Sequence, residues 1–230
     1  MDRVNSASKQ QKTLFDRWKR ETQEELILDG MVDAAKYWDS PRRLLFVLKE
    51  ANYRGNEGWD LKDYVAKGEW SHTWNNITRW TRAIHALPEE LSWKDCLSPI
   101  GKDARVKELG KIAFMNLNKR TGGTGVANIT KIREAVEKDK CFIREQVEIY
   151  DPQYIICCGI GFVFDLTVPI ILEREGERSC EETKRGVRYV KLPQGGHLID
   201  YWHPQSRIQA NLLCFPLVDA IREIEEGSGR

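Results

Sequence analysis

Residues 44 to 50 have the sequence LLFVLKE, in which Leu44 to Leu48 form a continuous apolar run followed by two charged residues. An apolar run of this length without alternation is typical of a strand buried on both faces. Ile112 to Leu117 and Tyr154 to Gly159 have the same character. Because helical patterns separate these strands, we predict an α/β fold with three layers, αβα, around a central, mostly parallel sheet of four or five strands.

The remaining chain completes this pattern of alternating strands and helices. Val187 to Leu192 and Leu198 to Trp202 are predicted as further strands, whereas residues 56–69 and 88–103 are predicted as loop or irregular structure. Apolar residues at helical spacing predict helices in these segments: Ser8 to Lys36 (one or two helices), Ser71 to Leu87, Thr130 to Tyr150, Gly161 to Glu173 and Ile208 to Glu225.

A chain of 230 residues is long enough to bury a full core and suits one α/β domain. We predict a single domain with a helical N-terminal extension over residues 1–40, a core over 41–225 and a frayed tail over 226–230. The 36 basic and 35 acidic residues nearly cancel, so the net charge does not identify a partner. Residues 102–140 contain ten basic and five acidic residues, a local excess that could attract phosphates.

The six cysteines include no C-x-x-C pair, and Cys157 and Cys158 lie within an apolar run. This pattern is typical of free thiols in a reducing compartment, and it predicts neither a disulfide framework nor a metal site. No apolar run approaches the ~20 residues needed to span a bilayer. We therefore expect a cytoplasmic protein without a membrane partner.

Polar residues follow three of the predicted strands. The first group is Lys49-Glu50-Ala51-Asn52-Tyr53-Arg54-Gly55, the second is Asn116-Leu117-Asn118-Lys119-Arg120, and the third is His203-Pro204-Gln205-Ser206. Parallel strands deliver side chains to one site at the carboxyl edge of their sheet. We therefore expect these groups to meet in one place.

Taken in order, these segments resemble the motifs of the uracil-DNA glycosylase superfamily. The family's first motif is GQDPYHG in one branch and GEAPG in another; Tyr53 and Gly55 match the first form, and Glu50-Ala51 match the second. The middle motif contains an Asn, in one branch followed three positions later by Lys, as in Asn116 and Lys119. His203-Pro204-Gln205-Ser206 resembles the closing HPS motif, and the likeness covers roughly residues 44–222.

The resemblance implies a DNA glycosylase that flips out a pyrimidine base and hydrolyses its bond to deoxyribose, without a cofactor. Breaking this bond develops positive charge on the sugar and negative charge on the departing base. Glu50 is expected to position water or stabilise the sugar, and His203 to donate to a base oxygen. Asn116 is expected to recognise the base edge, with Ala51 and Asn52 in the same pocket. The candidates for stacking on the base are Tyr53, Trp59 and Tyr64.

The resemblance also implies contacts with DNA, to which the protein is expected to bind as a monomer. Lys119, Arg120 and the glycine-rich segment after them are expected to contact phosphates, together with Ser206. Arg207 or Ile208 is expected to fill the gap that the flipped base leaves in the duplex.

The first motif departs from the family pattern. Lys49 stands where the family usually has Gly, Asn52 where it usually has Pro, and Ala51 where the best-known branch has a water-activating Asp. One hypothesis is that the pocket accepts a modified pyrimidine, as in foreign or phage DNA, which would make the protein a defence enzyme. An alternative is a nucleic-acid-binding module that has lost catalysis. A third is a hydrolase of free nucleosides.

Overall fold

The computed structural model describes residues 2–52, 58–121, 127–172 and 180–228, which form a mixed α/β structure. The strands are β1 (Gly30–Met31), β2 (Leu44–Ala51), β3 (Ile112–Thr121), β4 (Tyr154–Cys158), β5 (Glu181–Glu182), β6 (Arg188–Lys191) and β7 (His197–Tyr201). The helices are α1 (Asp2–Thr22), α2 (Ala34–Trp38), α3 (Leu61–Ala66), α4 (His72–Ala86), α5 (Trp93–Leu97), α6 (Lys102–Leu109), α7 (Ile129–Tyr150), α8 (Phe162–Leu172) and α9 (Ala210–Ser228).

All seven strands belong to one sheet with the order β1-β3-β2-β4-β7-β6-β5. The four central strands β3, β2, β4 and β7 are parallel, whereas β1, β6 and β5 pair antiparallel with their neighbours. The prediction of four or five strands was therefore too low, and the sheet is mixed. Strands β1 and β5 were missed because a strand of two residues has no apolar period to recognise.

The apolar run in β2 faces two different layers of helices. Leu44, Phe46 and Leu48 pack with α4 and α9, whereas Leu45 and Val47 pack with α1, α7 and α8. This alternation follows from the two-residue period of a strand, and it explains why no polar residue interrupts the run.

The predicted helices over the long segments are present, but two regions expected to be irregular contain short helices. Residues 61–66 form α3, residues 93–97 form α5, and α6 begins at residue 102, at the end of the second region, and continues to residue 109. The capping side chains of Asp60 and Ser92 accept hydrogen bonds from backbone N–H groups in α3 and α5. Helices of five to eight residues are too short to show a clear apolar stripe, so the caps were the main sequence signal of α3 and α5, whereas α6 follows Gly101 and has no side-chain cap.

The N-terminal segment packs against the sheet and its helices. Trp18 of α1 stacks on Phe142 of α7 with ring centroids 4.9 Å apart, and β1 extends the sheet beside β3. Gly30 has a φ of +131°, and a Cβ there would collide with the side-chain oxygens of Gln11 and Tyr150. Glycine at this position therefore lets β1 lie close to α1 and α7.

The carboxyl ends of the parallel strands form one edge of the sheet. From β2 the chain proceeds first to β3 on one side and later to β4 on the other, so the strand order reverses at β2. Clefts at such reversals are the usual ligand sites of open α/β sheets. A register shift between Glu50 and Ala51 turns the end of β2 at this edge.

Candidate functional site

A cavity of about 290 Å³ lies at the carboxyl edge of the sheet. It contains the three polar residues that the sequence predicted to meet, namely Glu50 of β2, Asn116 of β3 and His203, which follows β7. The other residues that line it are Leu48, Ala51, Asn52, Trp59, Leu61, Tyr64, Ser71, Thr73, Trp74 and Gln205. Three separate segments of the chain thus bring a carboxylate, an amide and an imidazole to one cavity.

Glu50 is oriented by the neighbouring strand. Asn118 lies opposite it on β3 and donates from Nδ2 to Glu50 Oε2 over 3.1 Å. The backbone N–H of Arg120 donates to Asn118 Oδ1 over 3.0 Å, which turns the amide nitrogen toward Glu50. The carboxylate therefore has a defined direction while it still lines the cavity.

His203 is held as a neutral imidazole. Burial lowers its pKa to about 4, and the positive charge of Lys49 contributes in the same direction. The backbone N–H of Gln205 donates to His203 Nδ1 over 3.1 Å, so the ring proton resides on Nε2. At neutral pH His203 is thus an uncharged hydrogen-bond donor.

The turn that contains His203 is anchored to α4. Asn76 is buried and donates from Nδ2 to the Pro204 carbonyl oxygen over 2.7 Å. Arg79, one turn further along α4, donates to Asn76 Oδ1 over 3.1 Å and to the Cys96 carbonyl oxygen over 3.0 Å. Asn76 therefore fixes the His-Pro turn to α4.

Asn116 is oriented by a carboxylate outside the cavity. Asp29 Oδ2 accepts the backbone N–H of Asn116 at 2.7 Å and, at the longer distance of 3.4 Å, its Nδ2. Because an ionised carboxylate only accepts, the amide nitrogen must lie on the Asp29 side. Within the described part of the chain, Asn116 Oδ1 has no hydrogen-bond partner, and it remains available as an acceptor.

Lys119 is enclosed by the protein, which does not support the predicted contact with phosphates. Its side chain is fully buried, and its ammonium donates to both oxygens of Asp29, at 2.7 and 2.8 Å, and to Gln146 Oε1 at 2.8 Å. Burial lowers the pKa of Lys119, and Asp29 opposes that effect. All three ammonium protons are used, so Lys119 stabilises the carboxylate that orients Asn116.

Arg120 is also neutralised by internal partners. Its guanidinium donates to Glu24, with Nε at 2.9 Å from Oε2, and it forms a second ion pair with Asp139. The predicted role of Arg120 in binding phosphates is therefore unsupported, because two carboxylates already compensate its charge. The local excess of positive charge counted in residues 102–140 is correspondingly smaller at the surface than in the sequence.

Three aromatic side chains line the cavity. Trp59 and Tyr64, both predicted, pack edge to face with centroids 5.3 Å apart. Trp74 is buried against Phe114, and it also lines the cavity. Tyr53, the third predicted stacking residue, lies outside the described residues.

The segment after His203 contains Arg207 and Ile208, the two residues that the resemblance predicted to fill a gap in DNA. Ser206 donates its backbone N–H to the His203 carbonyl oxygen over 2.9 Å and closes the turn. Arg207 is exposed and forms no ion pair within the described residues, whereas Ile208 packs against the core. Of the two, only Arg207 extends toward solvent.

Sequence reasoning missed the residues that support the predicted ones. Asn118, Asn76 and Asp29 each orient one of the polar groups in the cavity. Asn118 follows Asn116 at the strand period of two and therefore had a recognisable signal. Asp29 and Asn76 act across 87 and 128 residues of chain, and no local pattern links them to their partners.

The chain matches no protein-family model and no curated protein sequence. Among the described residues, no three His, Cys, Asp or Glu side chains are grouped as a metal site would require. No helix in the described ranges combines the length and the apolar character needed to cross a membrane.

Proposed function

We propose that this protein is a DNA glycosylase, similar in its three-layer αβα architecture and motifs to the uracil-DNA glycosylase superfamily. The observation that carries the proposal is the convergence of Glu50, Asn116 and His203 on one cavity. A pyrimidine swung out of DNA would present its edge to Asn116 and its oxygen to His203. Trp59, Tyr64 and Trp74 supply aromatic surface for its ring.

In the reaction we propose, the oxygen of a water molecule bonds to the sugar carbon while the bond from that carbon to the base nitrogen breaks. The bonding electron pair leaves with the base. His203 Nε2–H donates to a base oxygen and stabilises the negative charge that develops there. Glu50 orients the water and stabilises the positive charge on the sugar. The departing base takes up the proton that the attacking water loses, so the products are the neutral free base and an abasic site.

The neutral state of His203 supports this chemistry. An imidazolium would be a stronger donor, but in a cavity that faces phosphates it would form an ion pair with them. An imidazole whose Nδ1 is already bonded to Gln205 offers its one remaining donor in a single direction. Preorganised donors of this kind stabilise charge without reorganisation during the reaction.

We propose that the base is a chemically enlarged pyrimidine. Ala51 leaves the space that a larger side chain would fill, and the hydroxyl-bearing residues Ser71 and Thr73 line the same cavity. These groups could bond to a polar substituent that plain uracil lacks. Clean removal of uracil, with no preference for a modified base, would contradict this part of the proposal.

The experiment measures abasic sites, as strand breaks after alkali, in DNA that contains uracil or an enlarged pyrimidine. We expect activity from the unaltered protein and a loss of about 10²–10⁴-fold in Glu50→Gln and His203→Ala. Glu148→Gln, at an exposed position on α7, is the matched control and should retain full activity. DNA binding without strand breaks on any substrate would instead support a non-catalytic binding module.

A further inference from the structure

Two basic residues at the carboxyl edge of the sheet have no carboxylate partner in the described parts of the chain. Lys49 lies near the end of β2, and Arg133 is in the second turn of α7. Neither forms an ion pair within the described residues, in contrast to the internally paired Lys119 and Arg120.

The two cations converge on one aromatic ring. Lys49 Nζ lies 5.4 Å and the guanidinium carbon of Arg133 5.3 Å from the ring centroid of Phe162, the first residue of α8. Two like charges held near one ring repel each other, although each is attracted to the ring face. An anion bound between them would remove that repulsion.

The position of Lys49 is constrained by the backbone beneath it. Gly159 has a φ of +138°, and a Cβ there would lie only 3.1 Å from Lys49 Cε. A side chain at residue 159 would therefore displace the lysine as well as strain the backbone. The Lys49 side chain thus packs against the turn after β4, where residue 159 has no side chain.

These cations lie beside the cavity. Lys49 and Glu50 are consecutive in β2, so their Cα atoms are about 3.8 Å apart and their side chains leave opposite faces of the strand. Glu50 points to the cavity near α3 and α4, whereas Lys49 points to the layer of α7 and α8. The charge of Lys49 also reaches His203, whose pKa it lowers in addition to the larger effect of burial.

We propose that Lys49 and Arg133, spaced by Phe162, bind a phosphodiester group of the nucleic-acid strand whose base occupies the cavity. The identification of that anion as DNA rests on the proposed function. The nucleic-acid strand would then cross the end of β2, with its base on the side of Glu50 and a phosphate on the side of Lys49. This assignment replaces Lys119 and Arg120 as the predicted phosphate contacts.

The test measures the anisotropy of fluorescein-labelled single-stranded and duplex oligonucleotides at several salt concentrations. Each phosphate contact contributes about 0.9 to the slope of log affinity against log salt for duplex DNA, and about 0.7 for single strands. Lys49→Met and Arg133→Met should each reduce the slope and weaken binding equally for different base sequences, and the double variant should reduce the slope by about the amount of one contact. Lys9→Met, at an exposed position of α1, should leave the slope unchanged.

The outcomes separate this proposal from the proposed function. If base excision occurs but neither Lys49→Met nor Arg133→Met changes the slope, the phosphate site is refuted and the glycosylase stands. If both variants reduce the slope but no substrate is cleaved, the phosphate site is supported and the proposed glycosylase activity is contradicted. An unaltered protein that binds neither oligonucleotide would overturn the phosphate site directly.

Discussion

Strand β3 carries two polar residues, three positions apart, that differ in how fully their hydrogen-bonding groups are used. Lys119 is enclosed by Asp29 and Gln146, and every ammonium proton has an acceptor. Asn116 shares the same carboxylate but keeps Oδ1 free of partners among the described residues, and it lines the cavity. A buried polar group with all its partners stabilises a fold, whereas one with an unused atom is available to a ligand.

The largest expected effect is a loss of stability when Lys119, the fully hydrogen-bonded residue of the two, is replaced. Lys119→Met leaves the Asp29 carboxylate buried without its cation, which should lower the free energy of unfolding by about 3–5 kcal/mol. Chemical denaturation measures this loss. The double variant Lys119→Met/Asp29→Asn removes the unpaired charge and should recover part of it, while Lys9→Met should change stability by no more than about 0.5 kcal/mol. A single variant as stable as the original would show that the ion pair is dispensable.

A smaller effect is expected where a structural residue supports the cavity. Asn76→Ala leaves the Pro204 carbonyl oxygen without its buried donor, which should cost about 1–3 kcal/mol of stability. Displacement of His203 should also slow the proposed base excision, by up to about 10²-fold. The matched control is Asn211→Ala, because the buried amide of Asn211 has no hydrogen-bond partner in the described residues.

Comparing these two variants tests whether Asn76 acts through His203. A change in the imidazole NMR signals of His203 in Asn76→Ala, absent in Asn211→Ala, would support positioning. Equal effects of both variants on rate and on those signals would contradict it.

The effect that is smallest at neutral pH concerns the protonation of His203 in the cavity. Because the pKa of His203 is about 4 in the folded protein and 6.5 is its ordinary value, the unfolded chain binds more protons between these limits. The contribution of His203 to stability should therefore be fully present above pH 6.5 and decrease as the pH falls toward 4. NMR titration should give a midpoint near 4, and Lys49→Met should raise it. A midpoint near 6.5 in the unaltered protein would contradict the neutral imidazole.

The sequence predicted the central strands and the meeting of Glu50, Asn116 and His203 because both depend on short-range patterns. An apolar run specifies a buried strand, and the residue after it is delivered to the sheet edge. The burial of Lys119 in an internal ion pair was not predictable in this way, because it depends on Asp29, which lies 90 residues away. The same holds for Asn76, whose partner Pro204 is even more distant along the chain. Local periodicity thus located the polar groups that line the cavity but not the groups that hold them.

The contact between Asp29 and Asn116 makes the beginning of the chain part of the site. Asp29 lies in the segment that joins α1 to β1, outside the residues that resemble glycosylase motifs. A protein shortened to those motifs would enclose the Lys119 ammonium without its counterion and would free the Asn116 amide to rotate. The first thirty residues are therefore no detachable module, and a minimal version of this protein would have to retain them.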